Sequence, residues 1–156
     1  MKGFIWLRIV SILAVVVIAG AVQALPVAAA VIEAGDPGGR PIFVVLSGAE
    51  EAPGPGDPDG SGTAFFTLNQ GLEMVCWELT AQNIDPAAAA HIHRAPAGSP
   101  GPIVVPLSPP TSGMSSGCAA VDAALIMEIR QFPENFYVNV HNPAYSAGAI
   151  RGQLSK

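Results

Sequence analysis

"GTAFFTLNQGLEMVCWELTA", residues 62–81, decides the fold. Its first eight residues alternate, with Ala64, Phe66 and Leu68 on one face and Thr63, Phe65 and Thr67 on the other. A period of two is the mark of a strand with one face buried. "NQG" is a turn signal, and the run after it alternates again, which points Val75, Trp77 and Leu79 inward. The stretch therefore predicts a β-hairpin. Cys76 lies between inward residues and points the other way, so its partner is expected on a segment covering that face.

Further short β segments flank the hairpin. "PIFVVLSG" (41–48) is a candidate first strand, and "AAHIH" (89–93) and "PIVVPL" (102–107) are two more, joined by "RAPAGSPG". "SPPTSGMSSG" (108–117) reads as a loop. "VDAALIMEIRQF" breaks the pattern: Val121, Leu125, Ile126 and Ile129 recur at helical spacing, Asp122 can cap the start and Pro133 stops the run. One short helix is expected near 122–131. "NFYVNVH" and "GAIRGQL" are the last strands. Many short strands with close turn signals predict an all-β Greek-key sandwich or barrel.

The N-terminus reads differently. "MKGFIWLR" carries Lys2 and Arg8, an apolar run follows, and "QALPVAAA" supplies small residues. This is the pattern of a secretory signal, residues 1–30, with cleavage near Ala30 or after Ala24. The rival is an uncleaved anchor reaching Ile32, against which Pro26 and the small residues argue. Residues 31–40 read as a flexible leader and 41–156 as one domain. Without Lys2 and Arg8, five basic residues face twelve acidic ones, a net charge of −7. That excludes a basic surface for nucleic acid or anionic lipid. No membrane anchor is expected after signal cleavage, and the chain is expected to be secreted or periplasmic. In an oxidising compartment the two cysteines, Cys76 and Cys118, are expected to form a disulfide.

The chemistry rests on histidine. In a strand, residues i and i+2 share a face, so His91 and His93 point together, opposite Ile92. In "FYVNVH" the core takes Phe136, Val138 and Val140, which leaves Tyr137, Asn139 and His141 on the outer face. If the two strands pair, three neutral imidazoles can bind copper or zinc and leave an open position. The plainer reading makes them polar groups on a strand surface, and no neighbouring carboxylate is visible to support a metal. "DPDGSG" places Asp57, Asp59, Ser61 and Gly62 like the start of a calcium loop. Leu68 stands where the bidentate Glu should be, so a turn with solvated acids is the simpler reading. Arg151 reads as a surface cation, or as one that draws an anion toward a metal. No nucleophile motif is present, and paired carboxylates cannot be placed.

"VVLSGAEEAP", "GSGTAFFTL", "AAHIHRAPAGSPGPIVVPL", "FYVNVHN" and "AGAIRGQL" together resemble the successive blocks of the chordin (CHRD) domain over residues 42–155. The Cys76/Cys118 pair is similar to a variant common among bacterial secreted members. The resemblance implies an extracellular all-β domain. The reading adopted from the sequence is a non-enzymatic extracellular binding module with an unidentified protein or polysaccharide partner. Chordin's growth-factor antagonism does not carry over to a chain with one copy and no cysteine-rich modules. The His-x-His strand, later His and terminal Arg strand also resemble the copper side of Cu/Zn superoxide dismutases. That likeness implies copper at His91, His93 and His141, Arg151 as an anion guide, and a copper-dependent redox enzyme as the alternative function. A purely structural domain is the third. The fourth histidine and the zinc loop of the dismutases are missing.

Overall fold

The computed structural model describes residues 38–156. The signal at 1–30 and most of the leader lie outside them. Among the described residues, no helix is long and apolar enough to cross a membrane. Eight strands follow in chain order: β1 (Arg40–Ser47), β2 (Ser61–Asn69), β3 (Met74–Gln82), β4 (Ala89–Arg94), β5 (Ile103–Leu107), β6 (Met114–Ala120), β7 (Phe136–His141) and β8 (Ile150–Gln153). One helix, α1 (Ala123–Gln131), precedes β7.

The strands form one sheet in the order β5-β4-β7-β8-β1-β2-β3-β6, with every pairing antiparallel. The edge strands β5 and β6 touch, so the sheet curls into a nearly closed barrel. The pairings β4 with β7, β3 with β6 and β1 with β8 join strands distant in sequence, as Greek-key connections do. The expected all-β class and the single short helix both hold.

Alternation sets the register. Ile42 faces Phe66, which faces Trp77 on the next strand; Val44, Ala64 and Leu79 form a second row. All six are buried in one apolar cluster. The hairpin of β2 and β3 is as expected, with the Leu72 N–H bonded to Asn69 Oδ1 in its turn. In α1, Asp122 Oδ1 accepts from the Ala124 N–H at 2.7 Å, and Ile126 and Ile129 reach the core.

Two expectations are corrected. Residues 114–117 of the expected loop belong instead to strand β6, built from the low-propensity run "MSSGCAA". Packing selects it: the Trp77 indole lies across β6 opposite Gly117, where a Cβ would come within 2.8 Å of the ring. Cys76 is bonded to Cys118, but the partner stands directly opposite on the adjacent strand, not on a covering segment.

Candidate metal centre

The outer face of β4, β7 and β8 carries the site. Pairing of β4 with β7 sets His91 opposite Asn139 and His93 opposite Tyr137; pairing of β7 with β8 sets Asn139 opposite Arg151. The three histidines therefore meet as expected. One nitrogen from each lies within 4.8 Å of the others, and among the described residues this is the one group of three or more His, Cys, Asp or Glu side chains so gathered. A centre with bonds of about 2.0–2.1 Å holds tetrahedral or trigonal donors about 3.3–3.6 Å apart, so small ring rotations close the set. A bulge in β5, where β4 register shifts between Ile92 and His93, sits beside it. Asp57 and Asp59 form no comparable group; they sit in a turn closed by the Gly60 N–H on the Asp57 carbonyl at 3.1 Å.

The outer face is only partly open: His91 and His141 are half-buried, and the residues beside them correct the expectation of a bare strand surface. His93, Tyr137 and Asn139 are buried, and Arg151 is only 1 % exposed. Loops roof them. The Gly101 carbonyl lies 2.8 Å from His93 Nδ1, and the Gly101 N–H reaches the Tyr137 hydroxyl at 3.3 Å. Only glycine permits that approach, because a Cβ at 101 would lie 2.1 Å from the Arg94 carbonyl. Tyr137 stacks on the His93 ring at 4.7 Å, 5° from parallel. The Arg151 guanidinium lies 3.4 Å from the Tyr137 ring centre, approaching from the β8 side.

Arg151 is thus not a surface cation. It donates to the carbonyls of Ser99 (3.0 Å), Pro96 (3.1 Å) and Ala52 (3.4 Å) and to Gln153 Oε1 (3.3 Å). These bonds tie both roofing loops to the sheet. Glu51, buried from the second loop, faces the same cation. Burial lifts its carboxyl to about 7, against the opposing pull of Arg151, the Ala52 N–H and the Asn139 side chain.

The proton positions follow from the partners. A carbonyl only accepts, so His93 Nδ1 carries the ring proton and Nε2 presents a lone pair. That Nε2 is buried and has no partner. The Ser146 carbonyl, 3.1 Å from His141 Nδ1, fixes that ring in the same way. Backbone carbonyls do for these rings what a carboxylate does for many metal-bound histidines. Burial, then repulsion from His141 and His93, pushes His91 down to about 4. Burial also holds His141 below its ordinary value, with His93 adding to the effect and the Ser146 carbonyl opposing it. At neutral pH His91 and His141 are neutral imidazoles, the form that binds a metal.

Sequence reasoning missed the roof. Gly101, Ser146 and Ala52 act through backbone atoms and leave no side-chain signature. Glu51 carries no signal in the sequence, and Asn139 and Tyr137 read there only as outer-face residues without a role.

The CHRD domain family model matches residues 42–154. The chain belongs to the CHRD domain family. The match spans every strand except the first two residues of β1, and takes in both roofing loops and all three histidines. No curated protein and no solved structure matches the chain.

Proposed function

We propose that this CHRD domain is a non-enzymatic binding module of the cell exterior that holds one copper or zinc ion through His91, His93 and His141. One observation carries the reading: the buried Nε2 of His93 has no partner, and His93 is one of three histidines that each bring a ring nitrogen within 4.8 Å of the others. Leaving a buried acceptor unpaired costs about 1–3 kcal/mol, and a metal removes that cost. Imidazole suits both metals. Export rests on the N-terminal pattern and is supported by the Cys76–Cys118 bond. The module's macromolecular partner is an extracellular protein or polysaccharide. Arg151 is not given the task of guiding an anion, because four protein oxygens already occupy its guanidinium.

A Cu(II) titration of the purified domain followed by EPR tests this, on wild type and His93→Ala. One tight equivalent with nitrogen hyperfine structure, lost in the variant, is expected. Binding that the substitution leaves unchanged would sink the reading. Zn(II) competition on the same samples ranks the two metals, and a superoxide assay of the copper-loaded domain is expected to show no turnover.

A further inference from the structure

The lone pairs around His141 do not balance. Its Nδ1 faces the Ser146 carbonyl at 3.1 Å, and its Nε2 faces Asn139 Oδ1 at 3.0 Å. Both oxygens accept, and a neutral imidazole has one proton to give. With the proton on Nδ1, two lone pairs confront each other at Nε2 and Oδ1. His91 Nδ1 approaches the same Nε2 at 3.2 Å. A cation between these atoms resolves both contacts at Nε2. Donors 90–110° apart around a metal with bonds of about 2.0–2.1 Å are separated by about 2.9–3.4 Å. The distances of 3.0 Å and 3.2 Å both fall in that interval.

From this geometry we infer that Asn139 Oδ1 is the fourth donor of the centre, completing a closed set of three imidazoles and one amide oxygen. The inference rests on the metal reading above and changes its consequence. Asn139 is 2 % exposed and stands directly between His91 on β4 and Arg151 on β8. With four protein donors, a four-coordinate ion has no position left for substrate. Closed sets of this kind are structural, whereas catalytic zinc keeps an open position. The metal then fastens β4 to β7.

Zn(II) and Cu(II) titrations of wild type, Asn139→Ala and Asn139→Asp test the inference, with Cu(II) EPR recorded in H2O and D2O. In wild type we expect nitrogen hyperfine structure and no deuterium modulation from a bound water. Asn139→Ala should lose about 10- to 100-fold in affinity and gain a D2O-exchangeable ligand, while Asn139→Asp, which keeps an oxygen donor, should bind at least as tightly as wild type. An exchangeable water already present in wild type, with affinity changed less than twofold by Asn139→Ala, would overturn the fourth-donor assignment and leave the three histidines standing. Should Asn139→Ala fail to fold, weaker binding by Asn139→Asp overturns it alone. No histidine-bound metal in wild type would remove both readings together.

Discussion

The barrel has two halves with one interior and unlike exteriors. In β1, β2 and β3 the inward rows are apolar and most outward positions other than the buried Thr67 and Cys76 meet solvent, so that Phe43 and Val45 stand 59 % and 66 % exposed. In β4, β7 and β8 the inward rows are equally apolar, with Ile92, Val138, Val140 and Ile150 in the core. Their outward positions are covered by loops and filled with histidine, tyrosine, asparagine and arginine. Burying an apolar row stabilises the fold at about 25 cal/mol per Å2. Burying a polar row stabilises nothing until every donor and acceptor has a partner. The first half keeps one buried polar atom without a partner, the donor Trp77 Nε1, and the second keeps two, Glu51 Oε1 and His93 Nε2. Of the three, only His93 Nε2 is on a side chain that belongs to a cluster of metal-ligating residues.

Four experiments can break or sharpen that contrast. The largest effect belongs to the interior. Phe66 is fully buried between Ile42 and Trp77, and Phe66→Ala should cost about 3–5 kcal/mol in denaturant unfolding, with or without metal. A loss that depended on metal would couple the halves more tightly than described. Next is the double substitution Cys76→Ala/Cys118→Ala. It opens a link across 42 residues and should cost about 2–4 kcal/mol while leaving metal affinity unchanged, since the bond joins β3 to β6 and neither strand carries one of the histidines.

The pH dependence separates the groups of the roofed face. His91 titrates at about 4 in the fold against 6.5 when unperturbed, so in that window the unfolded chain binds more protons and stability falls as pH falls. Glu51 runs oppositely. Its carboxyl titrates at about 7 in the fold against 4.5 when unperturbed, so stability falls as pH rises through that window. The two slopes oppose each other in the metal-free protein. Glu51→Gln removes one of them, and its unfolding midpoint should drop more steeply than that of wild type between pH 6.5 and 4.5. Parallel curves would mean that the Glu51 carboxyl ionises as freely as in water. The smallest effect belongs to the open exterior, where Val45→Thr should change stability by no more than about 0.5 kcal/mol. A larger change would show that this face, too, is covered.

The same contrast explains what the sequence revealed. Alternation is strongest where one face is apolar and the other wet, so β1, β2, β3 and the spacing of His91, His93 and His141 were legible from period alone. Strand β6 was not, because Ser115, Ser116, Gly117 and Ala119 have little β propensity, and only Trp77 and Cys76 on the neighbouring strand select their conformation. Arg151 was misread for a related reason. A lone arginine is by default a surface residue; what buries this one is a ring face from Tyr137 and carbonyls from loops 50 or more residues away in sequence. Asn139 and Glu51 come together only through the pairing of β4, β7 and β8 and the fold of the loop after β1.

The central claim is that the partnerless nitrogen of His93 belongs to a metal. The rival is an ordered water in the same pocket, bonded to Nε2 and to the neighbouring rings. A crystal structure of the Zn(II)-soaked domain, with anomalous data collected across the zinc edge, separates them directly. The account predicts one anomalous peak bonded at about 2.0–2.1 Å to His93 Nε2, His141 Nε2 and a His91 nitrogen. Density without anomalous signal, at hydrogen-bond distance from those three atoms, would contradict it and leave the roofed face as a structural polar network.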